Sequence, residues 1–222
     1  MPGGITYGCG VTTIGAPLPA RGPVLADLLP AAARPGSPRT RARSAVARAA
    51  AVNAALVLTG TLLVAGLSQV LVPLPFTPVP LSLGTLGALL VGAALGPARA
   101  AASLGIYLAA GILGVGWFAG GASGWAFASF GYLLGFLAAS VVVGAMARRG
   151  ADRSVWRSIG IGLIGGAIVY AFGVPWLMVF TGSSLGEALV MGVAPFVLGD
   201  AIKAAIVAIV LPSAWALLAR TR

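Results

Sequence analysis

The chain has 222 residues, of which 59% are hydrophobic and only 8% charged, with a net charge of +10 and a mean hydropathy of +1.03. A soluble domain carries about 25% charged residues, so this composition cannot coat a water-facing surface and points to one compact bundle dissolved in lipid. No histidine and one cysteine, Cys9, leave almost no means for Cys/His zinc sites, haem ligation or His-dependent catalysis, and exclude an intrachain disulfide.

Residues 1–44 are rich in Pro, Gly, Ala and Arg and show neither a helical apolar period nor strand alternation. They are expected to form a disordered cytoplasmic extension. Met1–Gly10 lacks the charged start and apolar stretch of a cleaved signal peptide. Cys9 likewise lacks the preceding apolar run of a lipoprotein signal.

The membrane domain is expected over 45–222. Its apolar runs are 49–72, 81–96, 100–118, 129–147, 158–180 and 188–218. A bilayer core of about 30 Å needs roughly 20 apolar residues per helix, so these read as six transmembrane helices of an all-α membrane protein. The second run is the shortest. Gly and Pro within the runs are compatible with membrane helices.

The connections alternate in charge. Loops 73–80, 119–128 and 181–187 hold no Lys or Arg. The other side carries Arg39, Arg41, Arg43, Arg48, Arg99, Arg148, Arg149, Arg153, Arg157, Arg220 and Arg222. The positive-inside rule then sets both termini in the cytoplasm. It also explains the basic excess, which is spread between apolar runs rather than gathered on a nucleic-acid-binding face. Trp117, Trp125 and Tyr132 cluster near the third loop as an interfacial aromatic belt would. Ser184 and Glu187 have the spacing of a capping box. The sequence Pro-Leu-Pro-Phe-Thr-Pro-Val-Pro at 73–80 predicts a stiff outer flap, because each proline fixes its φ.

Two charges stand out. Asp200 is the sole acid in any predicted span and Lys203 the sole lysine in the chain. A mid-membrane charge costs at least about 2.5–3.5 kcal/mol and usually marks a substrate pathway. At i,i+3 the two share a helix face, within about three turns of the outer helix start. The competing reading is a self-contained ion pair that closes the bundle. Thr85, Ser103, Tyr107, Tyr132 and Tyr170 are further pocket candidates, while Asn53 and Gln69 sit near helix ends where water can satisfy them. Ala47, Ala51 and Ala55 repeat at the spacing that lets helices approach closely, either internally or against a partner helix.

The stretch Pro73–Gly121, PLPFTPVPLSLGTLGALLVGAALGPARAAASLGIYLAAGILGVGWFAGG, resembles the biotin-specific S components of energy-coupling-factor (ECF) transporters, the BioY family. The likeness continues at GYLLGF (Gly131–Phe136), YAFGVPWL (Tyr170–Leu177) and VAPFVLGDAIKA (Val193–Ala204), covering roughly residues 50–218. It implies a six-helix S-component fold in a bacterial plasma (inner) membrane and a biotin site near the outer face. It also implies an ECF partner module of one transmembrane coupling subunit and two ATPase subunits. The family's GD-x-x-K residues fall on Asp200 and Lys203, its FAGG loop on Phe118, Gly120 and Gly121, and its GY segment on Gly131 and Tyr132. The chain departs from the family at Gly84, where a glutamine is expected, and at Phe127–Phe130, where a Gly-Pro-Thr-Gly type turn is expected.

Biotin suits the charged pair. Asp200 can accept from ureido N–H groups in a charge-assisted bond. Lys203 can donate to the ureido carbonyl or pair with the carboxylate. Phe118, Trp125, Tyr132 and Trp176 are candidate walls for the thiophane ring and tail. The alternatives are an S component for another vitamin or a stand-alone secondary transporter. The second has little support, since Asp200 is almost the only titratable group available for a proton path and no inverted repeat is visible. An enzyme is not expected, because no serine stands at a convincing spacing from Lys203. No cofactor or metal is expected either.

Overall fold

The computed structural model describes residues 22–28 and 38–220. The remainder of the expected N-terminal extension lies outside the described residues. Seven helices follow in order: α1 Pro38–Gln69, α2 Gly84–Leu95, α3 Pro97–Ile112, α4 Phe130–Ala147, α5 Val155–Thr181, α6 Leu185–Gly192 and α7 Val197–Arg220. A minimal antiparallel ladder, β1 Leu71–Val72 with β2 Leu81–Ser82, closes the Pro-rich loop. Those four residues were expected at the ends of apolar runs. Pairing them satisfies backbone groups that the neighbouring prolines cannot.

Four segments are long and apolar enough to cross a membrane: Ala45–Gln69, Phe130–Ala147, Val155–Thr181 and Leu185–Leu218. The other two runs form the 12-residue α2 and the 16-residue α3. The third run ends early as a helix because Gly114 adopts φ +108°, and residues 113–118 join the following loop. Outward-facing side chains such as Leu62, Leu163, Val179 and Ile209 are apolar and exposed. A water-soluble protein avoids such a surface, and a multi-pass membrane protein presents it to lipid.

α4 packs between α2, α3 and α5. The contacts depend on missing side chains. A Cβ at Gly135 would lie 2.7 Å from the Val169 Cα, and one at Gly92 would lie 2.6 Å from the Ser140 carbonyl oxygen. Without the hydrophobic effect to drive association in lipid, such close backbone approach supplies the packing.

The last run, expected as one helix, is broken. α6 starts with the anticipated capping box, with Ser184 and Glu187 bonded to each other's backbone. It stops at Gly192, a 3-10 turn spans Ala194–Phe196, and α7 begins at Val197. Pro195 supplies no backbone N–H, so an unbroken ladder through this point is not available. The break puts Asp200 in the first turn of α7 rather than deep inside a helix.

The N-terminal expectation is corrected at 22–28. Leu25–Leu28 forms a 3-10 turn against the arginine-rich end of the bundle, with Val24 fully buried. The Gly22 N–H donates to the Arg148 carbonyl. Asp27 pairs with Arg99 at 2.7 Å and Arg148 at 3.4 Å. Val24, Leu25, Ala26 and Leu28 with one acid make too short a stretch to create a periodic signal, yet they suffice to seat a turn between the Arg99 and Arg148 guanidinium groups. α1 also starts earlier than expected, because the Arg- and Ala-rich residues from 38 onward are strong helix formers.

Candidate functional site

At the arginine-poor end, a cavity opens among the Pro-rich loop, α2, α4, α5 and α7, with about 540 Å³ of free space counting its mouth. Its lining comprises Val79, Pro80, Ser82, Thr85, Ala119, Ser129, Tyr132, Leu133, Phe136, Gly166, Val169, Tyr170, Phe196, Asp200 and Lys203. A mostly apolar wall with a few convergent polar groups suits one small molecule.

The polar groups form a chain across three helices. The Lys203 Nζ donates to the Asp200 Oδ1 at 3.0 Å. The Tyr170 hydroxyl donates to the other carboxylate oxygen, Oδ2. The edge of one tyrosine ring meets the face of the other between Tyr170 and Tyr132, with centroids 6.4 Å apart and planes at 86°. The Tyr132 hydroxyl then donates to the Gly192 carbonyl at 2.9 Å, an acceptor freed by the end of α6. The Lys203 side chain is 7% exposed and the Asp200 carboxyl 26%. The acid is therefore the more open member of the pair.

Helix geometry helps hold the acid. A carboxylate in the first turn of a helix lies toward the positive end of the helix dipole, and Asp200 is in the first turn of α7. An ionised carboxylate offers about four lone-pair sites and an ammonium three donors. The two bonds to Asp200 leave acceptor capacity on the acid, and one bond from Lys203 leaves it two donors. The pair can thus offer an acceptor and a donor side by side to one edge of a ligand.

Five of the sequence-predicted residues meet in this cavity: Asp200, Lys203, Tyr132, Tyr170 and Thr85. The others stand elsewhere. Phe118 is 1% exposed and packs among Tyr107 and Phe127. Gly120 and Gly121 shape the adjoining turn at φ +72° and +76°, and only their neighbour Ala119 reaches the cavity. Trp125 is 60% exposed. The Trp176 indole donates to the Phe127 carbonyl at 3.0 Å and stacks obliquely on Phe130, which fixes the third loop rather than the cavity wall. Ala47, Ala51 and Ala55 are exposed on α1, so internal packing is not their use.

Ser103 and Tyr107 are satisfied internally, Ser103 by the Val57 carbonyl and Tyr107 by the Ser68 hydroxyl. Asn53 and Gln69 have protein partners rather than water alone. Asn53 accepts from Arg99, and Gln69 donates to the Trp117 and Phe118 carbonyls. Gly84 is closely packed, since a Cβ there would lie 2.7 Å from the Ser68 hydroxyl oxygen. Sequence reasoning missed Ser82, Ser129, Phe136, Gly166 and Phe196. Only the serines carried any signal, as lone hydroxyls at run ends. The apolar members look like ordinary core residues.

The BioY family model matches residues 39–220. The biotin transporter BioY2 of Lactococcus lactis subsp. cremoris is 33% identical over 157 residues, 69% of this chain and 85% of the relative. A probable biotin transporter BioY of Pyrococcus horikoshii is 35% identical over 136 residues, 60% of this chain and 78% of the relative. The crystal structure of an S component for biotin from an ECF-type ABC transporter superposes with a TM-score of 0.66 at 22% identity, covering 81% of this chain and 94% of that one. With nearly the whole apolar region matched, this chain belongs to the BioY family.

Proposed function

We propose that this protein is the biotin-capturing membrane subunit of an ECF-type importer, a transport protein rather than an enzyme. The observation that carries the reading is the single cavity that gathers Asp200, Lys203, Tyr170, Tyr132 and Thr85 in a chain whose relatives are named biotin transporters. Because the Lys203 Nζ and Asp200 Oδ1 are only 3.0 Å apart, both serve the same end of the ligand. The ureido ring fits, since it presents N–H donors beside a carbonyl acceptor. Asp200 accepts from the ring N–H and Lys203 donates to the carbonyl, both charge-assisted. Phe136, Leu133, Val169 and Phe196 then bury the thiophane ring and tail.

In this reading the chain crosses a bacterial plasma membrane six times with both termini inside. Arg48, Arg99, Arg148, Arg153 and Arg157 stand at the cytoplasmic end, in accord with the positive-inside rule. α2 and α3 are short spans, and α6 and α7 together make one. The cavity then opens outward, beneath the Pro-rich loop. The sequence holds no Gly-rich phosphate loop ending in Lys-Ser or Lys-Thr, so the energy for uptake comes from a coupling subunit and two ATPase subunits. The exposed Ala47, Ala51 and Ala55 give the coupling subunit a flat helix face to approach.

The test is biotin titration of the purified protein, read by calorimetry, followed by uptake in vesicles with and without the ATPase module. Saturable binding with ATP-dependent uptake is expected. No binding would remove the biotin assignment, and uptake driven by a proton gradient without ATP would replace the ECF reading with a secondary carrier.

A further inference from the structure

The arginine-rich end carries a second constellation that the biotin reading does not use. Arg99 on α3 and Arg148 at the end of α4 converge on the Asp27 carboxylate, at 2.7 and 3.4 Å. Arg99 is also anchored through its Nε to Asn53 on α1 at 2.8 Å. One helical turn along from Asn53, an apolar groove begins at Leu56 and Gly60. It runs between α1 and α7 over α2, with about 670 Å³ of free space counting its open side. Leu95 and Val210 help line it, and Leu25 closes its arginine-rich end. A single short turn therefore sets an apolar side chain in the groove and, two residues on, an anion between two arginines. The family match begins at residue 39, after this turn.

We propose that this end of the bundle is a binding site for an anionic phospholipid, and that residues 22–28 are a built-in competitor for it. The phosphate takes the place of Asp27 between Arg99 and Arg148, and one acyl chain takes the place of Leu25 in the groove. Selection rests on the headgroup. An acyl chain leaving lipid for an apolar groove gains little, because lipid is already apolar. Two arginines holding a phosphate add charge-assisted, bidentate bonds. The occupant is a lipid rather than an acidic protein segment because the groove faces the bilayer and its lining is apolar along roughly two helical turns. A tethered carboxylate competes at a high effective concentration, so the wild-type protein responds to lipid content rather than binding it permanently.

Amide exchange of residues 22–28 tests this in the full-length protein at constant ionic strength. Exchange should be several-fold faster in nanodiscs of phosphatidylglycerol than in nanodiscs of phosphatidylcholine. Equal rates would overturn the proposal. Native mass spectrometry from mixed nanodiscs gives a second reading. Asp27→Asn should retain phosphatidylglycerol several-fold over phosphatidylcholine, and Arg99→Gln with Arg148→Gln added should abolish that preference. An Asp27→Asn protein with no preference would also overturn it. If that variant does not fold, the wild-type exchange comparison decides alone. Inorganic phosphate should leave exchange of 22–28 unchanged. Release by phosphate alone would show an anion site without a lipid and would likewise overturn the proposal.

Discussion

Tyr170 on α5 donates its hydroxyl hydrogen to Asp200 on α7, so the acid is held from one side by an aromatic residue and from the other by Lys203. The Tyr170 bond fixes the carboxylate plane. Removing it in Tyr170→Phe keeps the ring and its contact with Tyr132. Hydrogen bonds to charged groups are worth about 1.5–3 kcal/mol. Calorimetry should therefore show biotin affinity weakened roughly tenfold to a hundredfold at 1.4 kcal/mol per decade, with detergent monodispersity kept. Unchanged affinity would mean that the carboxylate orientation does not matter to the ligand.

Asp200→Asn keeps the shape of the acid and one acceptor, and Lys203→Met keeps an unbranched stem. Both should weaken biotin binding by at least about tenfold, again on the scale of a lost charge-assisted bond. Alanine substitutions are poorer tests, since stranding one member of a buried pair costs on the order of 3–5 kcal/mol in folding. Normal affinity in both conservative variants, with normal folding, would show that the pair only closes the bundle.

Two glycines separate filling the cavity from breaking the fold. No heavy atom lies within 4 Å of a Cβ built at Gly166, and Gly166 lines the cavity. Gly166→Leu should fold normally and lose biotin binding. A Cβ at Gly192 would lie 2.3 Å from the Tyr132 hydroxyl oxygen. Gly192→Ala should lower thermal stability by about 1–3 kcal/mol, as overpacking does. Binding retained in Gly166→Leu would place the ligand outside this cavity.

Topology is checked by single cysteines in a Cys9→Ser background. An impermeant reagent should label positions 76, 125 and 183 from outside, and position 153 only after the membrane is opened. External labelling at Arg153→Cys would reverse the proposed orientation.

Acid should loosen the N-terminal turn. Partial burial works against ionisation of Asp27, but the hydrogen bond from Arg99, the Val24 N–H and the charges of Arg99 and Arg148 outweigh it and hold the carboxyl below its ordinary value of 3.8. A depressed carboxylate stabilises the fold above its unfolded value and loses that contribution as pH falls through the folded one. The protection factor of the Val24 amide, its exchange relative to an unstructured amide at the same pH, should therefore be flat from neutrality down to about pH 4 and fall below it. Asp27→Asn should abolish that fall. Asp152, at the same end, is shifted the other way. Its burial pushes the carboxyl up, against the hydrogen bond from the Trp215 indole at 2.6 Å.

Composition and run length made the helices legible, and charge made the two ends of the bundle distinguishable. Asp200 and Lys203 were visible because a charge in an apolar run is rare, and Tyr132, Tyr170 and Thr85 because polar groups in spans are few. What stayed hidden were contacts set by three-dimensional packing. Phe118 and Trp176 have the right chemistry for a ligand wall, but turn toward Tyr107 and Phe127 instead. The break before α7 was carried by Pro195 alone, which membrane helices often tolerate. The turn at 22–28 is too short a stretch for any periodicity, and its partners lie 72 and 121 positions away.

The interruption at Val193–Phe196 also sets the electrical character of the cavity. A helix start carries roughly half a positive elementary charge, and α7 starts three residues before Asp200. Adding that to one ammonium and one carboxylate leaves the ion pair short of neutral, with a surplus of positive potential. Cavities with such a surplus draw anions inward during diffusion. In the proposed reading, a biotin molecule whose tail ends in a carboxylate is pulled toward this mouth before any ureido contact forms, whereas its uncharged amide or ester arrives by unassisted diffusion. The association rate of biotin should fall with ionic strength, and that of its methyl ester should not.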